Sequence, residues 1–399
     1  MEGGGLPRCP ADDTPPPGPD AGHAARCVRA AVAAVPGLDA ARATAARISG
    51  GISNHLFLVR GGGGGPAEGV LVRLYGAGGP LCDRPSEEAL VQRLSAAGFG
   101  PRVLGVFGGG RVEQFWPARR PLRPSESLQC GAGAEDFAAM VAVRLAELHG
   151  LRLVVPGRAT SEEQLAMWLS GVAAEGPVGA AELRAAVAEV GGLRPMAQTA
   201  AEQAVEAVLL GRALCHLDLF AGNLLFDRGA EGSGGGGDVQ FIDYEYAAEA
   251  PVGLDIANHI SGRTELIEGE AVTFDTALYP TPQQQLHFLD VYIGARSHES
   301  MAGAVEAAEA LAGQHRAGVA VYARRLLAAL AAEAELRWVA WGLLQHQHSS
   351  VRFDYGDYAV QRWGCYATYR RWARREEEVG AATPGGRQSD ADRAPAARE

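Results

Sequence analysis

The chain has 399 residues, enough for one large domain or two lobes with separate cores. Hydrophobic residues make up 47% and charged residues 21%, as in ordinary soluble globular proteins. A formal net charge of −11 speaks against binding nucleic acid or an anionic membrane through bulk electrostatics, while leaving room for a small cationic ligand. The six cysteines are scattered with no C-x-x-C pair, which argues against a zinc site and a secreted disulfide scaffold. No apolar run reaches the roughly 20 residues that span a bilayer, and the N-terminus lacks a signal-peptide pattern. The default location is the cytoplasm.

In chain order, residues 1–24 read as disordered, because "PADDTPPPGPD" cannot build a core. "HLFLVR" and "VLVRLYG" are short apolar runs that predict paired strands, with the glycine run 61–65 as a loop expansion between them. Residues 86–97 carry a helical period opened by a serine and closed by Gly98 and Gly100. "RVLGVF" and "RVEQFW" predict two more strands around Gly108–Gly110. This small sheet and helix form an N-lobe over 25–117. Helical pattern begins at Asp136 and recurs at 161–172, 180–189, 197–210, 302–334, 335–348 and 357–374. "NLLFD" and "VQFIDYEY" interrupt it as two strands flanking a second glycine run, 232–237. A helical C-lobe over 118–374 follows, and the tail 375–399 reads as disordered. The fold class is α+β and bilobal, with a small β-rich lobe, a larger helical lobe, and chemistry where they meet.

The central motif is His216-Leu217-Asp218, then Asn223, then Asp243 on what reads as the returning strand. Order and spacing suit phosphoryl transfer from ATP. One carboxylate orients the attacking hydroxyl and accepts its proton, while an amide oxygen and a second carboxylate hold Mg2+ across the phosphates. H-x-D alone is common and would be an ordinary turn pair. With Asn223 and Asp243 in place the kinase reading is favoured. Upstream, a glycine turn at Gly50-Gly51, a basic strand residue Arg73 and an acidic helix residue Glu87 fall in the order of a phosphate loop and a cation–carboxylate pair. Trp338-x-x-Trp341 places two indoles on one helical face. With Tyr246, Tyr279 and Tyr358 as further rings and Glu245 as a carboxylate, they could surround a quaternary ammonium.

These residues resemble the choline/ethanolamine kinase family, a branch of the protein-kinase-like fold. The matching stretches, in family order over roughly 47–372, are "GGISNHLF", "VLVRLYG", "GPRVLGVF" with "GRVEQFWPARRPL", "CHLDLFAGNLLFD", "FIDYEY", "GLDIANH", "LYPTPQQQLHF" and "WVAWGLLQHQHSSVRFDYGDYAVQRW". The resemblance implies that Asp218 is the catalytic base and that Asn223 and Asp243 are magnesium ligands. It implies that Arg73 contacts the phosphates with Glu87 holding it, and that Gly50, Gly51, Ser53 and Asn54 form the loop over them. Glu113, Gln114 and Phe115 would be the hinge beside adenine, and the W-x-x-W helix would line the amine pocket. The implied activity is ATP-dependent phosphorylation of choline and ethanolamine, choline slightly favoured, as the first step of the routes through CDP-choline and CDP-ethanolamine. A homodimer is expected from the resemblance alone. An aminoglycoside-type phosphotransferase and a weak pseudokinase are the alternatives.

Two departures stand out. The family usually has Asn where this chain has Leu217, which would cost a loop-anchoring hydrogen bond. It also carries a Glu where this chain has Gly262, with Glu265 a shifted candidate to replace it. His346 and His348, two apart on a helix, read as solvated residues rather than metal ligands.

Overall fold

The structure, a computed structural model, describes residues 19–48, 54–61, 68–75, 84–130, 135–151, 153, 156–229, 237–268, 271–298, 304–313, 316–349 and 353–374. The expectations for 1–18, for Gly50, Gly51 and Ser53, for the glycine runs at 62–65 and 232–236 and for the tail 375–399 lie outside the described residues.

The N-lobe runs α1 (Pro19–Ala34), β1 (Thr44–Ile48), β2 (Asn54–Arg60), β3 (Val70–Tyr75), α2 (Arg84–Ala96), β4 (Val103–Phe107) and β5 (Gly110–Gln114). Its strands form one antiparallel sheet in the order β1-β2-β3-β5-β4. The register sets Arg73 opposite Arg111 and Val72 opposite Val112. Period-two alternation therefore sends Arg73, Arg111 and Glu113 to one face and Val70, Val72, Leu74 and Val112 to the other. The apolar face is closed by Cys27, Ala30 and Ala31 of α1 and by Val35 just after it. Their spacing marks one side of a helix. α1 starts at Pro19, inside the stretch that composition assigned to disorder. Its weak stripe of small residues finds a partner only once the sheet exists. The other face, lined by charge, looks toward the C-lobe.

The C-lobe comprises β6 (Arg120–Pro121), α3 (Phe137–Gly150), α4 (Ser161–Gly171), α5 (Ala180–Val190), α6 (Ala200–Leu209), β7 (Arg212–Cys215), β8 (Leu224–Asp227), β9 (Asp238–Phe241), β10 (Ala248–Pro251), α7 (Val252–Ser261), β11 (Glu265–Glu268), β12 (Ala271–Phe274), α8 (Pro282–His298), α9 (Ala304–Ala312), α10 (Arg316–His348) and α11 (Tyr355–Arg374). Helix starts follow capping chemistry. Asp136 accepts from the amide of Ala139, and Thr160 and Thr199 form capping boxes with Glu163 and Glu202. The helices expected at 302–334 and 335–348 are instead α9 and an unbroken 33-residue α10. The break falls just after α9, at Gly313, because nothing in "LAALAAEAELRWVAWGLL" stops a helix. α10 packs along α11 and α7 through the centre of the lobe. Two antiparallel pairings, β7 with β10 and β8 with β9, bracket the loop 216–223 and bring it beside the segment after β9. Among the described residues no helix is long and apolar enough to cross a membrane, and Cys27, Cys130, Cys215 and Cys365 are free thiols.

Candidate active site

The loop from His216 to Asn223 is held from below by α7. Asp255 accepts the backbone N–H of His216 (2.6 Å) and of Leu217 (2.8 Å), and it also accepts His149 Nε2 (3.0 Å). One turn on, Asn258 Oδ1 accepts the Leu219 N–H (2.8 Å), and His259 Nδ1 donates to the Leu219 carbonyl (2.9 Å). The i, i+3, i+4 spacing puts all three on one side of a wholly buried helix. "DIANH" matched the family in sequence without a role. Polar residues at that spacing in a buried helix were the signal to read. His216 ties the loop to the other hairpin, its Nε2–H donating to the Ile242 carbonyl (2.8 Å) while Nδ1 accepts from the Asp218 N–H (3.3 Å). Burial lowers the pKa of this imidazole, which suits the neutral form that this pattern requires.

These contacts answer the concern over Leu217. Leu217 takes a left-handed backbone (φ 63°), and its side chain lies in the C-lobe core. A non-glycine residue there costs roughly 1–2 kcal/mol. The anchoring is done by the backbone and α7, so it needs no side-chain hydrogen bond at 217. His149, Cys215 and Asp255 bring potential metal-ligand atoms within 4.8 Å of one another. His149 and Asp255 are committed to the hydrogen bonds just described, and burial raises Cys215 well above an ordinary thiol, so the group is structural.

Asn223 Nδ2 donates to the Asp218 carbonyl (2.8 Å) and to Asp218 Oδ2 (3.1 Å). That use of the amide nitrogen leaves Oδ1 as the free acceptor. Asp243 lies beyond the strand on which its sequence context places it. β9 ends at Phe241, and Asp243 follows in left-handed backbone (φ 68°), which turns its side chain out of the hairpin and toward Arg73. Arg73 Nη1 lies 3.1 and 3.2 Å from the two Asp243 oxygens. Arg73 also reaches Glu113 (3.6 Å).

The expected Arg73–Glu87 pair is not formed. Glu87 is gripped instead by Arg84 and by Arg111, each at 2.7 Å. The sheet order explains this, because α2 packs beside β4 and Arg111 on β5 stands one strand nearer to it than Arg73 on β3. The side chain of Glu113 joins the same row through Arg111 Nε (2.5 Å), so a base-side role at this residue would fall to its backbone. Phe115 follows the end of β5, half-buried.

Burial first, and then the charges of Glu265, Asp243 and Glu245, raise the Asp218 carboxyl well above its usual value. Burial also works to raise Asp243, but Arg73 and Arg111 outweigh it and hold that carboxyl below the ordinary range. A crowd of carboxylates around one half-buried Asp makes a place where cations are stabilised. Asn223 Oδ1 and the Asp243 oxygens are hard oxygen donors of the kind Mg2+ takes when phosphate and water complete its shell.

The aromatic group lies beside this centre. Tyr246 packs edge-on against Trp338 (5.3 Å) and Trp341 (6.4 Å), and the two indoles lie 5.8 Å apart. Tyr358 packs on Trp341 (5.5 Å), and Trp341 Nε1 donates to the Tyr246 hydroxyl (2.7 Å). Two further rings join, Tyr355 against Trp341 and Phe274 against Tyr358. Tyr279 is placed elsewhere, its ring contacts being Tyr369 (5.2 Å) and Trp372 (4.8 Å). Glu245 turns toward the N-lobe, where Asn54 Nδ2 (3.4 Å) and Arg84 (3.5 Å) meet it. Behind the rings, Arg362 lies over Phe274 (4.2 Å) and Tyr358 (5.0 Å) and pairs with Glu265 (2.7 Å) and Glu335 (3.2 Å). Gly262 stands where a Cβ would come within 3.1 Å of Phe220 Cβ and 3.2 Å of its Cα. Close approach to Phe220 on the 216–223 loop thus explains the glycine. We expect Gly262→Ala to lower kcat several-fold by shifting that loop, with a smaller effect on the melting temperature, read by steady-state kinetics alongside a thermal melt.

A two-lobed chain with an H-x-D loop, a convergent amide and carboxylate, and a basic sheet face above them is a phosphotransferase of the protein-kinase-like class. Solved structures of similar shape agree on the fold. They include choline kinase from Cryptosporidium parvum Iowa II (TM-score 0.62, 21% identity, covering 86% of this chain and 93% of that one) and Plasmodium vivax ethanolamine kinase (TM-score 0.60, 20% identity, 84% and 85%). The family profile described as choline/ethanolamine kinase matches residues 45–367, and the chain belongs to that family. Among curated relatives, "Probable choline kinase 2" of Arabidopsis thaliana is 28% identical over 305 residues, covering 76% of this chain and 78% of its own length. "Choline/ethanolamine kinase" of Homo sapiens is 28% identical over 342 residues, covering 80% and 78%. The protein is accordingly a kinase.

Proposed function

We propose that this kinase transfers the γ-phosphoryl group of ATP to the hydroxyl of choline and of ethanolamine, giving the phosphomonoester and ADP. The observation that carries the reading is the adjacency of two chemistries. The Asp218 carboxylate, held by Asn223, bears electrostatically on Tyr358, one ring of a box completed by Tyr246, Trp338 and Trp341. Aromatic faces stabilise an alkylammonium that needs no hydrogen bond, by about 0.5–2 kcal/mol per contact. A short amino alcohol held there extends its hydroxyl toward Asp218. Asp218 accepts the hydroxyl proton as the oxygen bonds to the γ-phosphorus and the bond to ADP breaks. Asn223 keeps Asp218 oriented. Arg73 supplies positive charge against the phosphate oxygens, and the Arg111–Glu113–Glu87 row holds Arg73 in the sheet. Asn223 and Asp243 would hold Mg2+, which when bound offsets phosphate charge. Asn54, at the start of β2, joins the N-lobe sheet to Glu245.

The test is a coupled ADP-release assay with ATP and Mg2+, run separately with each amine. Turnover of either supports the reading. Phosphorylation of an aminoglycoside with no turnover of either amine would overturn it. Trp341→Ala should raise the amine KM by about tenfold and leave the ATP KM nearly unchanged. A shift confined to the ATP KM would mean that the box does not bind the amine.

A further inference from the structure

The carboxylates around Asp218 are not equally free. Asp243 faces Arg73 through both oxygens. Glu245 is turned to Asn54 and Arg84 of the N-lobe. Glu335 lies with both oxygens on Arg362, at 3.4 and 3.2 Å. Glu265 differs from all three. Its side chain is 7% exposed, Oε2 takes the Arg362 Nη2 hydrogen bond at 2.7 Å, and Oε1 has no partner among the described residues. It stands at the first position of β11, one turn past the glycine that admits Phe220, and its charge bears on Asp218 more than that of any other neighbouring carboxylate.

The ring faces on this side carry a resident cation. The Arg362 guanidinium lies 4.2 Å from the Phe274 centroid, 5.0 Å from Tyr358 and 5.6 Å from Trp338. Those faces are therefore partly spent on Arg362 before substrate arrives. What remains unspent there is a hydrogen-bond acceptor, and a trimethylammonium has no N–H to give it.

We propose that Glu265 receives the substrate ammonium through Oε1 and biases this kinase toward amino alcohols that carry N–H, ethanolamine-type over quaternary. The proposal rests on the amine-kinase reading above. It reverses the slight preference for choline expected from sequence. Arg362 pairs with Glu265 on one side and with Glu335 on the other, so Glu335 belongs to the same charge network without facing the ammonium.

The experiment measures kcat and KM for ethanolamine, choline and ATP in the full chain, for the wild type, Glu265→Gln and Glu335→Gln. Glutamine at 265 can still accept from Arg362, and a thermal melt reports whether the fold is kept. If Glu265→Gln fails to fold, Glu265→Asp, which keeps the charge but shortens its reach, serves in its place. A charge-assisted hydrogen bond lost at the ammonium corresponds to about tenfold or more. We expect the ethanolamine KM of Glu265→Gln to rise by at least that factor, the choline KM by about threefold or less, and the ATP KM to stay within about twofold. Glu335→Gln should leave the ratio of the two amine KM values as in the wild type. An unchanged ethanolamine KM, equal rises for both amines, or the same selectivity change in Glu335→Gln would overturn the assignment to Glu265 while leaving the amine-kinase reading intact. No turnover of either amine by the wild type would overturn both.

Discussion

Asp218→Asn is expected to lose turnover by roughly a thousandfold or more while the folded protein becomes more stable at neutral pH. The first part follows from chemistry, since an amide cannot take the hydroxyl proton and general-base catalysis contributes about 10²–10⁴. The second follows from linkage. The Asp218 carboxyl is raised above its usual value in the fold, by burial and by the charges of Glu265, Asp243 and Glu245. A group raised in this way favours the fold only while protonated, below the ordinary aspartate range, and that contribution is lost as pH climbs through the raised value. At neutral pH this raised carboxyl therefore works against folding, and Asn removes the conflict while keeping an oxygen for Asn223 to donate to. The kinetic assay and a pair of thermal melts at pH 7.5 check both halves. Retained turnover would remove Asp218 from the mechanism. A lower melting temperature would mean that the charge is compensated in the fold. The same sign predicts that wild-type kcat/KM in amine falls on the acid side at a pH above the usual aspartate range, because the free enzyme must lose that proton to act.

The second large effect is at Asp255, which touches no substrate. Its carboxylate receives three donors, the backbone N–H groups of His216 and Leu217 and Nε2 of His149. Burial works to raise this carboxyl, but the hydrogen bonds it accepts from His149 and from the His216 backbone outweigh it and hold it below its usual value. With the folded value depressed, the stability it contributes is present above the ordinary aspartate range and lost as pH falls through the depressed value. Asp255→Asn places an NH2 group against at least one of the three donors, whichever way the amide turns. A broken buried charge network of this kind costs about 3–5 kcal/mol. The urea midpoint should fall with little change in slope. In whatever folds, kcat should drop more than the amine KM rises, because the loop carrying Asp218 is released while the aromatic box is not. An unchanged midpoint would show that α7 does not anchor the loop.

Some of the site was legible because chemistry fixes residue type and spacing along the chain. Asp218 and Asn223 are five apart on one loop, and Trp338 and Trp341 are one helical turn apart on α10, so neither pairing needs a tertiary structure to be seen. The helices with marked caps were legible for the same reason. Helices α7 and α8 were not. All of α7 is buried, so no polar face alternates with an apolar one to give it a period. Tyr279 was grouped with the pocket rings because a tyrosine in sequence carries no address, and α11 claims it through Tyr369 and Trp372.

The sequence by itself determined the kinds of group that the active site holds and their order along the chain. Local spacing and side-chain chemistry are properties of short stretches. Tertiary structure alone decided who pairs with whom. Strand order put Arg111 rather than Arg73 on Glu87, and a left-handed residue after β9 turned Asp243 onto Arg73. The turn after Gly262 brought the shifted Glu265 back to Asp218 with one oxygen unspent. These are contacts between residues far apart in the chain, where packing chooses among carboxylates and cations that look alike in sequence.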